Sequence, residues 1–285
     1  MGEGRGIAAA LLSSGLGGSA IVATRHLSGA VDPAVLGCLR FAVGAAILLP
    51  IALLARGPWP ARRDWPGTIL LGLVLFGIFP WLFNAALALT SAARGALALS
   101  TLPPLTMAMA ALLGVERPSL RKSAGVAMAM TGVALALAAD LGHSPAGAWR
   151  GDLLMIAAAL VMAFYNVWSR PYIRRSAVLP HTAVGMAAGA GFLFLAGVPA
   201  GGLPPLPAAD WLAVAYLGVV CAALVFWLWA FALAHATPTR VAITVCANPV
   251  TASILGLVLL GEPVGIVLVA GLAAVGGGIA LASRD

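Results

Sequence analysis

Residues 64–136 of this chain recur, without a gap, 146 positions further on. Trp65, Trp81, Arg94, Pro103 and Glu116 fall in register with Trp211, Trp227, Arg240, Pro249 and Glu262. An Ala- and Leu-rich composition produces chance matches of Ala and Leu, but not of these rarer residues at one fixed spacing. Upstream, Gly6 and Arg25 align with Gly151 and Arg170 at a spacing of 145, so the first segment belongs to the repeat as well. The chain therefore divides into a repeat over 1–140, a link over 141–150 and a second repeat over 151–285. Two like units in one chain are expected to pack on each other rather than fold independently.

Hydrophobic residues make up 62% of the chain and charged residues 9%, against about a quarter charged in a soluble domain. Crossing a hydrocarbon core takes about 20 mostly apolar residues, and ten such stretches stand between polar breaks. They lie near 6–24, 34–54, 66–88, 91–113, 122–139, 151–169, 179–197, 208–233, 238–260 and 263–282. Five crossings per repeat is an odd number, so the second copy must enter the bilayer from the opposite side. The expected fold is all-α and integral to the membrane, with ten transmembrane helices arranged as two inverted-topology five-helix repeats. With the N-terminus inside, twelve Lys and Arg residues fall in inner segments and three in outer ones, which predicts cytoplasmic termini. The net charge of +7 then reflects basic inner loops meeting anionic lipid. A nucleic-acid partner would need a contiguous basic face or a soluble module, and neither is present. The N-terminal apolar run recurs as the segment from Gly151, which marks a retained helix rather than a secretory signal, and Gly6 breaks the myristoylation pattern that Gly2 invites. Cys38, Cys221 and Cys246 lie within spans, with no disulfide or metal spacing.

All nine acidic residues sit in loops or at helix ends. Ion-coupled carriers commonly keep a carboxylate at membrane depth, so this pattern favours a facilitative exporter or exchanger. His181 and His235 occupy terminal, interfacial positions. Arg40 is the one basic residue inside a span, about two turns from its outer end. It either meets a substrate carboxylate through its planar fork, or snorkels or ties neighbouring helices through backbone carbonyls. Pro103 and Pro249 fall at equivalent points of the fourth and ninth spans, where proline removes a backbone hydrogen bond. Paired interruptions point to a midplane site, and Ser100 and Thr101 precede one of them as Asn248 precedes the other. Both prolines are therefore hinge candidates. Phe76, Phe79, Pro80 and Phe83 share one helix face with Asn84 beside it. Trp227 and Phe231 stand one turn apart, and Tyr165, Asn166 and Ser169 close the sixth span. These groups would either wall a cavity or face lipid, as Trp65, Trp168 and Trp211 are expected to do in an interfacial belt. Ser14 and Gly18 complete the cavity candidates. Glycines at 15, 17, 18, 185, 189 and 276–278 are expected at close helix contacts, and their setting in apolar helix argues against a phosphate loop.

Gly18-Ser19 followed by Arg25, then Pro33 with Arg40-Phe41 and Ala45, then the runs Pro103 to Glu116 and Pro249 to Gly261-Glu262-Pro263, resemble the two EamA domains of the drug/metabolite transporter superfamily. The resemblance covers nearly the whole chain. It implies a ten-helix carrier with a central cavity that works by alternating access and exports amino acids, nucleosides, other small metabolites or drugs. Phe76, Phe83 and Trp227 fit the branch that exports aromatic amino acids. Departures from the pattern are Gly17 in place of a frequent Trp, Arg25 in place of the usual Lys, and Met186 where Arg40 would recur. An intramembrane enzyme would need a nucleophile beside a base, or metal ligands at helix depth, and neither motif occurs. A channel would need a ring of charge. The expected partners are a small-molecule substrate and the lipid bilayer, in a bacterial-type inner membrane. No cofactor or metal is implied, and a monomer suffices.

Overall fold

The computed structural model describes residues 2–116, 119–139, 147–201 and 206–261, with 265–266, 269–270, 273–274 and 276–277 beyond them. Among the described residues the secondary structure is helical. Among these described residues eight helices are long and apolar enough to cross a membrane: α1 Gly2–Leu27, α2 Pro33–Leu54, α3 Arg62–Leu89, α4 Ala92–Leu112, α6 Ala148–Arg175, α7 Val178–Gly197, α8 Ala208–His235 and α9 Pro238–Leu260. A further long helix, α5, covers Leu120–Ala139. The expected span 263–282 lies largely outside the described residues.

Local chemistry sets several boundaries. The Asp32 carboxylate accepts from the Ala34 and Val35 amides at 2.8 and 3.2 Å, and Pro33 follows at the first helical position, so α2 begins there. Ser91 caps α4 by accepting from the Arg94 amide. Gly261, at φ +66°, ends α9 in the left-handed conformation that glycine adopts freely.

Among the described residues five of these helices are interrupted: α6 breaks at Ser169, and the breaks in the other four come in repeat-related pairs. A π turn over Val74–Ile78 lies inside α3, and another over Val219–Leu224 lies at the matching place in α8. In α4 the ladder breaks at Ser100 and Thr101 before a new helix starts at Leu102. In α9 a 3-10 turn over Thr244–Ala247 precedes the helix from Asn248. Pro103 and Pro249 thus sit in the first turn of the second half of each broken helix, where the missing N–H is least disruptive. Pro80 follows the first π turn in the same way, whereas α8 has Phe226 at that point.

The packing exchanges helices as the repeat does. α1 lies against α8 and α9, and its counterpart α6 lies against α3 and α4. α2 packs along α7, α3 meets α7 as α8 meets α2, and α4 crosses α9 so that the first half of each touches the second half of the other. At the α3–α7 crossing, a Cβ on Gly72 would stand 2.4 Å from the Gly185 Cα, so small residues let the backbones touch.

Ion pairs tie the helix ends in two sets. Asp64 accepts both prongs of Arg175 at 3.0 and 2.9 Å, and Glu3 accepts from Arg240 at 2.7 Å. Asp210 meets His26 at 3.0 Å, and Asp152 accepts from Arg94. Asp64 and Asp210 are repeat equivalents, as are Arg94 and Arg240. One member of each pair in one set therefore has its repeat equivalent in the other set, while the partners differ.

Candidate functional site

A small cavity of about 50 Å³ lies where α1, α2, α3, α4, α6, α8 and α9 converge. One water needs roughly 10–15 Å³ on this measure, so the space holds a few waters, and a metabolite would have to widen it. Its walls are built from repeat-equivalent positions. Phe79 and Val225, Phe83 and Trp229, Leu99 and Val245, and Gly17 and Met162 all face it in pairs. The cavity thus sits where the two repeats meet, with different side chains on its two halves.

Polar groups enter it from the interrupted helices and from α1. Ser14 Oγ lies 2.9 Å from Thr244 Oγ1, and Thr244 itself donates to the Val241 carbonyl at 2.8 Å. Ser13 donates to the Val225 carbonyl at 2.9 Å. Asn248 lines the cavity, and its Oδ1 is buried without a hydrogen-bond partner. Arg40 is 4% exposed and donates from Nη2 to the Cys221 carbonyl, 2.8 Å away and inside the π turn of α8. Its guanidinium stands 5.1 Å from the Phe41 ring centre and 5.8 Å from that of Phe226, within cation–π reach. Arg40 therefore ties α2 to a neighbouring backbone and borders the cavity at once.

The cavity candidates taken from the sequence divide accordingly. Ser14, Arg40, Phe83 and Asn248 line the cavity, while the other eight do not. Gly18 is turned toward α9, where a Cβ would stand 2.5 Å from Thr251 Cβ, and Gly17 takes the cavity-side place. Phe76 is buried one layer away, edge-on to Phe41 and Phe226 at 5.3 and 5.1 Å between ring centres. Asn84 donates to the Pro33 carbonyl at 2.8 Å, and a Cβ on Gly37 would meet both Asn84 and Pro80, so these two serve the α2–α3 contact. Ser100 donates back to the Ala96 carbonyl at 3.1 Å within the α4 break. Tyr165 is enclosed in the core. Asn166 stands behind the wall and accepts at 2.9 Å from Nε1 of Trp229, which does line the cavity. Trp227 lies instead in an apolar groove with Ile51, Leu179 and Leu224, its ring 6.1 Å from that of Phe231.

Trp229 is a cavity residue that sequence reasoning missed, as it did Ser13, Gly17 and Phe226, although for Trp229 a signal existed. It stands 146 positions after Phe83, so the one aromatic of the α3 face with an aromatic repeat partner identifies it. Trp227 pairs with Trp81, which is 45% exposed. That tryptophan pair marks the repeat and not the cavity. His181, expected at an interface, is buried at the start of α7. Trp65, Trp168 and Trp211 are all exposed on the helical surface.

Paired broken helices around a small cavity inside a bundle of apolar helices define a multi-pass membrane protein of the transporter class. Models of the EamA-like transporter family match this chain twice, over residues 4–138 and 149–284. The chain belongs to that family. Similar proteins include an uncharacterized protein of Pseudomonas aeruginosa, 32% identical over 88% of this chain and 84% of its own length. The "aromatic amino acid exporter YddG" of Ancylobacter novellus is 29% identical over 90% of this chain and 85% of its own. A "probable terminal-alkyne amino-acid exporter" of Streptantibioticus cattleyicolor is 28% identical over 76% and 73%. A solved crystal structure superposes with a TM-score of 0.75 at 24% identity, covering 96% of this chain and 95% of its own, and so shares the fold.

Proposed function

We propose that this protein is a secondary transporter that exports small amphipathic metabolites, amino acids foremost and aromatic or hydrophobic ones in particular. It works by alternating access between two inverted five-helix repeats, in a bacterial inner membrane with both termini cytoplasmic, and it is a carrier rather than an enzyme. The observation that carries this reading is the cavity itself, walled by repeat-equivalent residues between two helices broken at the same place. A site on the axis that relates two like halves is reached equally from either side when one half rocks against the other. The two sets of helix-end ion pairs support the inverted arrangement. Each set joins ends that ten alternating crossings would bring to one face, and the repeat-equivalent residues Asp64 and Asp210, and Arg94 and Arg240, fall in opposite sets. The cavity wall combines Phe79, Phe83, Phe226 and Trp229 with Ser14, Arg40 and Asn248, which suits a solute with an apolar body and a polar head. The names of the two exporters among its relatives agree with this substrate class.

The test is counterflow. Proteoliposomes preloaded with unlabelled amino acids are challenged with labelled tryptophan, phenylalanine, threonine or methionine, with and without a proton gradient. Saturable exchange that does not need the gradient is expected for some of these. Absence of exchange by folded protein, together with exchange of nucleosides or hydrophobic drugs, would move the substrate class and leave the fold reading in place.

A further inference from the structure

We infer that Arg40 is the anion pole of the cavity and that the solute bound there must carry a carboxylate, with Asn248 accepting from a donor at its other pole. This rests on the transporter reading and narrows its substrate class. The starting point is a charge without a resident partner. Arg40 is buried, and its one hydrogen bond goes to a neutral carbonyl, that of Cys221. Its Nε–H is buried with no acceptor. Every acidic residue within the described part is engaged elsewhere. Glu3, Asp64, Asp152 and Asp210 hold the ion pairs at the helix ends. Asp32 caps α2, and Glu116 accepts from the Thr239 amide. None of them reaches Arg40.

A buried cation is tolerated when a counter-ion and hydrogen bonds replace its water. The carbonyl and the two aromatic rings supply part of this. The cavity at its side offers the place for the rest, and a carboxylate fills it best because its oxygens match the planar guanidinium edge. Asn248 presents the complementary need, since it lines the same space and its Oδ1 is buried without a partner, which calls for an N–H donor. A zwitterionic amino acid satisfies both groups in one molecule. An uncharged nucleoside leaves Arg40 without a counter-ion, and a cationic drug adds repulsion.

Counterflow of phenylalanine is compared in wild-type proteoliposomes with that of phenylalanine amide, phenethylamine and N-acetylphenylalanine. The expected result is preference for the free acid over the amide and the amine by at least about tenfold, with the N-acetyl form also weakened, because a site built around a charged group rejects an analogue that lacks it. Arg40→Lys should keep the preference for the acid with a raised KM, and Arg40→Gln should abolish it. If the Gln variant does not fold, the wild-type series and the Lys variant still decide. Equal exchange of acid and amide would overturn the carboxylate site while leaving the transporter reading in place. So would competition by chloride that removes the preference, since the site would then belong to an inorganic anion. Failure of folded protein to exchange any amino acid would overturn the amino-acid reading and this site with it.

Discussion

Arg94 and Asp152, which lie 58 residues apart in sequence, form a buried ion pair between the starts of α4 and α6. Thr90 adds a hydrogen bond to the same carboxylate at 3.1 Å. The repeat-equivalent arginine, Arg240, meets Glu3 with both side chains partly exposed. The duplication thus places an arginine at both ends of the bundle, but burial differs between them. Removing one partner of a buried pair strands the other charge and costs about 3–5 kcal/mol, whereas an exposed pair contributes about 0–1 kcal/mol. Asp152→Asn should therefore lower the thermal unfolding midpoint in detergent markedly, and Glu3→Gln should leave it nearly unchanged. Similar midpoints for the two variants would contradict the burial argument.

Two tryptophans one residue apart from being neighbours should behave differently. Trp229 lines the cavity and donates to Asn166, while Trp227 lies in an apolar groove on another side of α8. Trp229→Phe keeps the ring but leaves the Asn166 carbonyl oxygen unpaired and buried, a loss of about 1–3 kcal/mol. We expect a clear fall in counterflow for Trp229→Phe and little change for Trp227→Phe, measured at equal amounts of folded protein. Equal effects would separate the cavity from the transport path.

The adjacent glycines of α1 make a similar pair. A side chain at Gly18 meets Thr251 Cβ at 2.5 Å and the Asn248 carbonyl oxygen at 2.7 Å, so Gly18→Val should reduce the folded yield. A methyl group at Gly17 stands 3.2 Å from Asn248 Oδ1 and enters the cavity. Gly17→Ala should therefore fold, and change the KM for the solute. Size-exclusion profiles beside counterflow kinetics distinguish the two outcomes.

Pro103 and Pro249 begin the second halves of α4 and α9. Alanine restores the N–H that each break lacks and favours a continuous helix. Pro103→Ala and Pro249→Ala should slow exchange more than they alter expression or thermal stability. Matched losses of transport and folded protein would make these prolines scaffold residues instead of hinges.

The sequence by itself determined where the helices run and which of them are equivalent. Length of apolar run, proline, and capping residues such as Asp32 and Ser91 act on the nearest turn of backbone, so their effects are readable without a partner. Fixed spacing carries the equivalence of Asp64 with Asp210 and of Arg94 with Arg240, and it also placed the paired breaks of α4 and α9. Which side of each helix faces inward was decided only by the tertiary structure. In a membrane the surface of a helix is as apolar as its core, so amphipathic contrast does not separate Trp229 from Trp227 or Gly17 from Gly18. The π turns of α3 and α8 rotate the residues beyond them, which a regular helical period does not anticipate. The partner of Arg40 came from a carbonyl 181 residues away, a contact that exists only once α2 packs on α8.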